Sequence, residues 1–176
     1  EACHWVLPEP MLEWAKRLKV TATEELDMDL PLIFSALPAS VARTAEPEFA
    51  RRHAVVCSNA SAFRMDPYVP ILLPEVNPDH ITVLDRQRQV HGWKGAIVTN
   101  SNCTSTGMTV ALKALQEQFG LRKVLAVSMQ AISGAGYPGV ASLDILDNVI
   151  PYIAGEEEKV EAESCKMLGR SEERRV

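Results

Sequence analysis

The run from Leu30 to Ser61 restricts the fold more than any other part of the sequence. Leu32-Ile33-Phe34 is a short apolar run stopped by Ser35-Ala36-Leu37-Pro38, as expected of a buried parallel strand entering a loop. Ser40 to Arg52 then has helical spacing, with Val41, Ala45 and Phe49 on one face. Ala54-Val55-Val56-Cys57 is a second apolar run, ending in Ser58-Asn59-Ala60-Ser61. Strand, helix and strand in such close succession form a βαβ unit, because parallel strands need a crossover between them. The unit implies a doubly wound α/β sheet, whose ligands bind outside the carboxyl ends of the strands. Here those ends are the two small, polar loops Ser35–Pro38 and Ser58–Ser61.

Further on, a proline-punctuated section (Asp66 to Pro78) leads to a helical stretch through Gln89. Ala96-Ile97-Val98-Thr99 is a third strand candidate, running through Asn100-Ser101-Asn102 to Cys103-Thr104. A helix is predicted from about Ser105 to Phe119, with Met108, Leu112, Leu115 and Phe119 inward. Val124 to Gln130 is a β-type run, Ser133-Gly134-Ala135-Gly136 a flexible turn, and Leu143–Ile150 and Glu157–Leu168 read as helices. Before Leu30, the prolines Pro8 and Pro10, an amphipathic patch over Leu12–Leu18 and an acidic stretch to Asp29 form no firm element. Arg170 to Val176 is expected to fray.

A chain of 176 residues, 47% hydrophobic and 23% charged, can bury a core, and it has no apolar run able to cross a bilayer. The net charge of -5 weighs against a nucleic-acid surface. The opening at Glu1, without a basic and then apolar segment, gives a cytoplasmic expectation. Cys3, Cys57, Cys103 and Cys165 form no CxxC pair, so no metal site is expected, and disulfides are not expected in that compartment.

Among these cysteines Cys103 stands out, between a strand and a helix. Unpaired N–H groups and the helix macrodipole stabilise negative charge there, whether on a thiolate or on an oxyanion. On spacing alone a buried small hydrophobe is an equal reading, since free cysteine is commonly buried. The polar neighbours Asn102, Thr104 and Ser105, at the ligand end of a sheet, favour the functional one.

Ser101-Asn102-Cys103-Thr104 followed by Gln130-Ala131-Ile132-Ser133-Gly134-Ala135-Gly136 resembles the aspartate-semialdehyde dehydrogenase family, in the branch common in archaea and fungi. Leu143 to Tyr152, Gly155-Glu156-Glu157-Glu158-Lys159, Ser58-Asn59-Ala60-Ser61 and Pro74-Glu75-Val76-Asn77-Pro78 resemble it too. The resemblance implies that Cys103 is the nucleophile. Its thiolate would attack the aldehyde, the thiohemiacetal would give hydride to NADP, and phosphate would cleave the thioester. The physiological direction would be reduction of aspartyl phosphate to aspartate semialdehyde. By the same resemblance Gln130 orients the substrate, and Arg64 and Lys159 bind its phosphate. Glu156 would bind its amino group, with Glu157 and Glu158 as near competitors for that role. Ser35, Leu37, Asn59, Asn102, Ser133 and Gly134 match positions lining the cofactor.

The implied fold is α/β: the later part of a Rossmann-like dinucleotide-binding domain over residues 1–101, then the start of an α+β catalytic and dimerisation domain over 102–176. Family members pair as homodimers or homotetramers, so self-association is the expected partner mode. No glycine-rich turn precedes Ser35, and His4, His53, His80 and His91 all precede Cys103, so none matches the family's general base. The expectation is an internal fragment, inactive alone, because loss of a general base costs about 10²–10⁴-fold. Two other readings stand beside this one. A relative of malonyl-CoA reductase or of N-acetyl-glutamyl-phosphate reductase would use a similar cysteine, and a non-catalytic remnant would use none of these residues.

Overall fold

The computed structural model describes residues 5–25 and 30–169, without the side chain of Glu24. Cys3, His4, Asp27, Asp29 and the charged tail from Arg170 lie outside the described residues. A four-residue helix, α1 (Glu13–Lys16), is all the helix that the amphipathic patch at Leu12–Leu18 forms. Three strands follow: β1 (Leu32–Ser35), β2 (Val55–Ser58) and β3 (Ala96–Thr99). They form a parallel sheet in that order, so the expected βαβ unit is present. Leu32, Val55 and Ala96 lie abreast at one end, and Ser35, Ser58 and Thr99 at the other. All three hydroxyl residues are buried, which gives the carboxyl end of the sheet a polar floor.

Helix α2 (Ala39–Arg51) makes the first crossover. Its buried positions are Ala42, Glu46, Phe49 and Ala50, whereas Val41 is exposed. The inward face is thus turned by one residue from that predicted, because Ala42 and Ala50 let the helix approach the sheet closely. Phe49 and Ala50 pack with Ala54, Val56, Val69, Trp93 and Ile97 as the main core. A Cβ at Gly95 would lie 2.0 Å from the Ala54 carbonyl oxygen, so only glycine fits where the chain enters β3.

Helix α3 (Val83–His91) ends at Gly92, whose φ of 67° is the left-handed cap conformation that glycine adopts without cost. Its buried Gln87 closes the outer edge of β3. The Ile97 N–H donates to the Gln87 side-chain oxygen at 2.8 Å, and the Gln87 amide donates to the Ile97 and Tyr68 carbonyls, each at 2.9 Å. Thr99 is paired on the same edge by the Pro70 carbonyl and the Leu72 N–H. The edge thereby loses the free backbone groups that make exposed strands sticky.

The remaining helices are α4 (Cys103–Phe119), α5 (Ser142–Ile145) and α6 (Glu156–Met167). Helices α4 and α6 pack together, with the Thr109 hydroxyl donating to that of Ser164 at 3.2 Å. Met167 at the end of α6 docks against Ile71 and Val76, which ties this helix to the segment beside the sheet.

Several expectations are corrected. Leu32 and Phe34 are exposed, because α2 packs on β2 and β3 and only Ile33 of this run reaches the core. Leu115 and Phe119 are exposed, since α6 packs nearer the start of α4, against Thr109. Val124–Gln130 forms no strand: Leu125, Val127 and Met129 project outward and no described segment pairs with them. The helix expected over Leu143–Ile150 stops at Ile145, where Leu146 turns to an extended backbone conformation. The turn expected at Ser133–Gly136 is present, as a 3-10 turn over Ile132–Ala135 that ends at Gly136.

Candidate active site

Cys103 is the first residue of α4, two positions earlier than predicted, and its side chain is exposed. The helix starts here because Asn102 caps it: the Asn102 side-chain oxygen accepts from the Thr104 N–H at 2.8 Å and the Ser105 N–H at 3.3 Å. One strand end and one helix start therefore hold the thiol beside the polar floor of the sheet.

Glu156 is the hub of the site. One of its oxygens accepts from the Thr104 hydroxyl and the Gln130 amide, both at 3.1 Å. The Asn102 amide reaches both carboxylate oxygens, at 3.1 and 3.2 Å. Partial burial pushes the Glu156 carboxyl up. Hydrogen bonds from Gln130, Thr104 and Asn102, with the nearby charge of Lys159, outweigh that and hold it below its ordinary value. The group is thus an anion on the first turn of α6, where the helix dipole favours one.

Arg64 and Lys159, far apart in sequence, line one open hollow with Ser61 and Glu163. Arg64 is not a free surface charge. It donates to Glu163 at 3.0 Å and to the Asn59 carbonyl at 2.8 Å. Glu163 in turn accepts the Asn102 N–H at 2.5 Å. Sequence reading missed Glu163, although it lies seven residues after Glu156 and hence on the same face of α6. Lys166, also missed, donates to the carbonyls of Arg64, Asp66 and Val69 at 2.6–2.8 Å.

Of the positions matched to a cofactor, Ser35, Asn59 and Asn102 gather at the strand ends. The Asn59 N–H donates to the Ser35 carbonyl at 2.8 Å, and the Asn100 amide to the Asn59 side-chain oxygen at 2.7 Å. Leu37 is half-buried in the loop after β1. The Ser35 hydroxyl is buried with no hydrogen-bond partner among the described residues, so a polar group at this sheet end would satisfy it. That orphan oxygen and the parallel strand ends fit a dinucleotide. Ser133 and Gly134 sit on the exposed turn beyond Gln130, which alone of that segment reaches the Glu156 hub.

Two family models match the chain: "Semialdehyde dehydrogenase, NAD binding domain" over residues 4–84 and "Semialdehyde dehydrogenase, dimerisation domain" over 112–176. The chain is 47% identical over its whole length to an aspartate-semialdehyde dehydrogenase of Archaeoglobus fulgidus, covering 51% of that protein. It is 46% identical, over 94% of its length, to that of Cryptococcus neoformans, covering 47% of it. A malonyl CoA reductase (NADP) of Metallosphaera sedula is 41% identical over 87% of this chain and 43% of its own length. Among solved structures, aspartate semialdehyde dehydrogenase with NADP from Candida albicans superposes at a TM-score of 0.77. The two are 36% identical, over 95% of this chain and 48% of that one. The chain spans about half the length of the curated relatives it matches. It belongs to the aspartate-semialdehyde dehydrogenase family.

Proposed function

We propose that this chain carries the nucleophile and part of the substrate and NADP sites of an aspartate-semialdehyde dehydrogenase. The observation that carries the reading is the convergence of Asn102, Thr104 and Gln130 on Glu156, at the start of the helix that bears Cys103. The Cys103 thiolate adds to the aldehyde carbon, and the developing oxyanion lies at a helix start, where backbone N–H groups are aimed. Bound NADP supplies the hydride acceptor in this direction and, reduced, the donor in the other. Phosphate then attacks the Cys103 thioester, the carbon–sulfur bond breaks, and the acyl phosphate leaves with the thiolate restored. Glu156, held as an anion, pairs with the substrate ammonium, and Gln130 orients the reacting carbonyl. Arg64 and Lys159 hold the phosphate across their shared hollow. Ser35, Leu37, Asn59, Asn102, Ser133 and Gly134 form the cofactor side. The first domain runs to residue 101 and the second from 102.

Self-association is the proposed partner mode, as a homodimer or a homotetramer. The span matched by the dimerisation model contains the outward apolar side chains of Leu125, Val127, Met129, Leu143 and Val149. Their exposure supports that surface as one covered in an assembly. Light scattering on the purified protein reads its mass.

The chemistry is tested by trapping. In the full protein, given semialdehyde and NADP but no phosphate, the peptide containing Cys103 gains the mass of an aspartyl thioester, and phosphate releases it. An adduct that persists in Cys103→Ser sinks the reading. Malonyl-CoA reduction is the second reading, on the strength of the Metallosphaera relative. The anionic Glu156 disfavours it, because a malonyl group has no amine to pair with. Acylation of Cys103 by malonyl-CoA in preference to the aspartyl substrate would reverse the order.

A further inference from the structure

We propose that Glu163 is a positioning residue that couples an anion held by Arg64 to the loop bearing Cys103. The proposal rests on reading Arg64 and Lys159 as the phosphate site. Glu163 is 2% exposed, and its two oxygens serve different segments. One takes the Arg64 guanidinium at 3.0 Å, the other the Asn102 backbone N–H at 2.5 Å. Asn102 in turn caps α4 and contacts Glu156, so the carboxylate stands one hydrogen bond from the residue that sets the thiol.

A buried carboxylate is costly unless paired, and an apolar residue of similar volume often stabilises a fold as well or better. Specific geometry is what the carboxylate adds. With Nη1 on Glu163 and Nη2 on the Asn59 carbonyl, the guanidinium is fixed beside the hollow it shares with Lys159. Its Nε is buried with no partner among the described residues. The backbone of this loop is held separately, by Lys166 on the carbonyls of Arg64, Asp66 and Val69. Removing the Glu163 charge should therefore free the guanidinium while the loop stays in place.

Charge and position predict opposite signs. If Glu163 only neutralised Arg64, Glu163→Gln would raise the local positive potential and strengthen anion binding. If it positions Arg64, the same change weakens binding. The experiment is a phosphorus-NMR titration of inorganic phosphate into the full 176-residue chain, with Glu163→Gln and Glu163→Asp beside it. Phosphate should bind at least about tenfold more weakly to Glu163→Gln, as expected for losing charge-assisted hydrogen bonds, and Glu163→Asp should recover part of the loss. Saturating phosphate should also slow hydrogen exchange at the Asn102 amide in the wild-type chain, a reading that needs no variant. Binding to Glu163→Gln that is unchanged or tighter overturns the proposal. So does an Asn102 amide indifferent to phosphate. Equal binding to wild type and Arg64→Met overturns the phosphate site itself, and the coupling with it.

Discussion

The Asn102 carboxamide holds two segments at once: its oxygen caps the helix that begins at Cys103, and its amide donates to Glu156 at 3.1 Å. The helix of the proposed nucleophile and the proposed ammonium-binding carboxylate are thus set by one side chain. Asn102→Ala should cost about 1 kcal/mol for the cap alone. Thermal unfolding checks the loss, and alkylation of Cys103 should become less uniform in rate as the helix start loosens.

The Glu156 carboxyl titrates below its ordinary value of 4.5, and the sign of the consequence follows from linkage. A group whose native value is depressed stabilises the fold above its unfolded value and loses that contribution as pH falls through the native one. Wild type should therefore lose stability below pH 4.5 more steeply than Glu156→Gln, which cannot titrate there. Denaturant midpoints measured from neutral pH downward decide this. Parallel curves for the two proteins would remove Glu156 as a source of acid lability.

Gln87 makes three hydrogen bonds while wholly buried, two of them to the backbone of Ile97. Gln87→Leu keeps the volume but strands an N–H and two carbonyls. The expected cost is about 2–4 kcal/mol, from desolvated groups left without partners. Urea unfolding measures it, and a loss below the range typical of surface substitutions would contradict this account of the sheet edge.

Gly95 leaves no room for a side chain. An added Cβ would stand 2.0 Å from the Ala54 carbonyl oxygen, backbone that can yield only by shifting β2. Gly95→Ala should destabilise by about 1–3 kcal/mol or more, as overpacking does in a closed core. A melting temperature equal to wild type would show that the strand moves freely.

Lys166 pins the loop carrying Arg64 by three backbone carbonyls. In Lys166→Met that loop should open locally before the molecule unfolds. Hydrogen exchange over residues 61–69 should rise while exchange at β3 stays near wild type. A uniform rise would mean that Lys166 stabilises the whole fold rather than one loop.

The three strands, the parallel pairing of β1 with β2 across a helix, and the place of Cys103 where a strand gives way to a helix could be read from the residues alone. Each is written in local spacing: apolar runs too short for helices, a helical repeat between them, and polar residues where a strand gives way to a helix. Local spacing also misled. Leu115 and Phe119 keep the repeat of an inward face and lie exposed, and Val124–Gln130 has strand composition without a pairing neighbour. A repeat records which face is apolar, not what packs against it. Which of the candidate residues meet was settled by packing between distant segments. Gln130 reaches Glu156 across 26 residues, Asn102 reaches Glu163 across 61, and Arg64 reaches Glu163 across 99. Helical spacing places Glu156, Lys159 and Glu163 along one helix, yet no local rule says which other segment each will meet. The docking of α6 on α4 and on the Ile71–Val76 segment settles that, because it removes Glu163 from water and leaves Arg64 and the Asn102 N–H as the donors within reach.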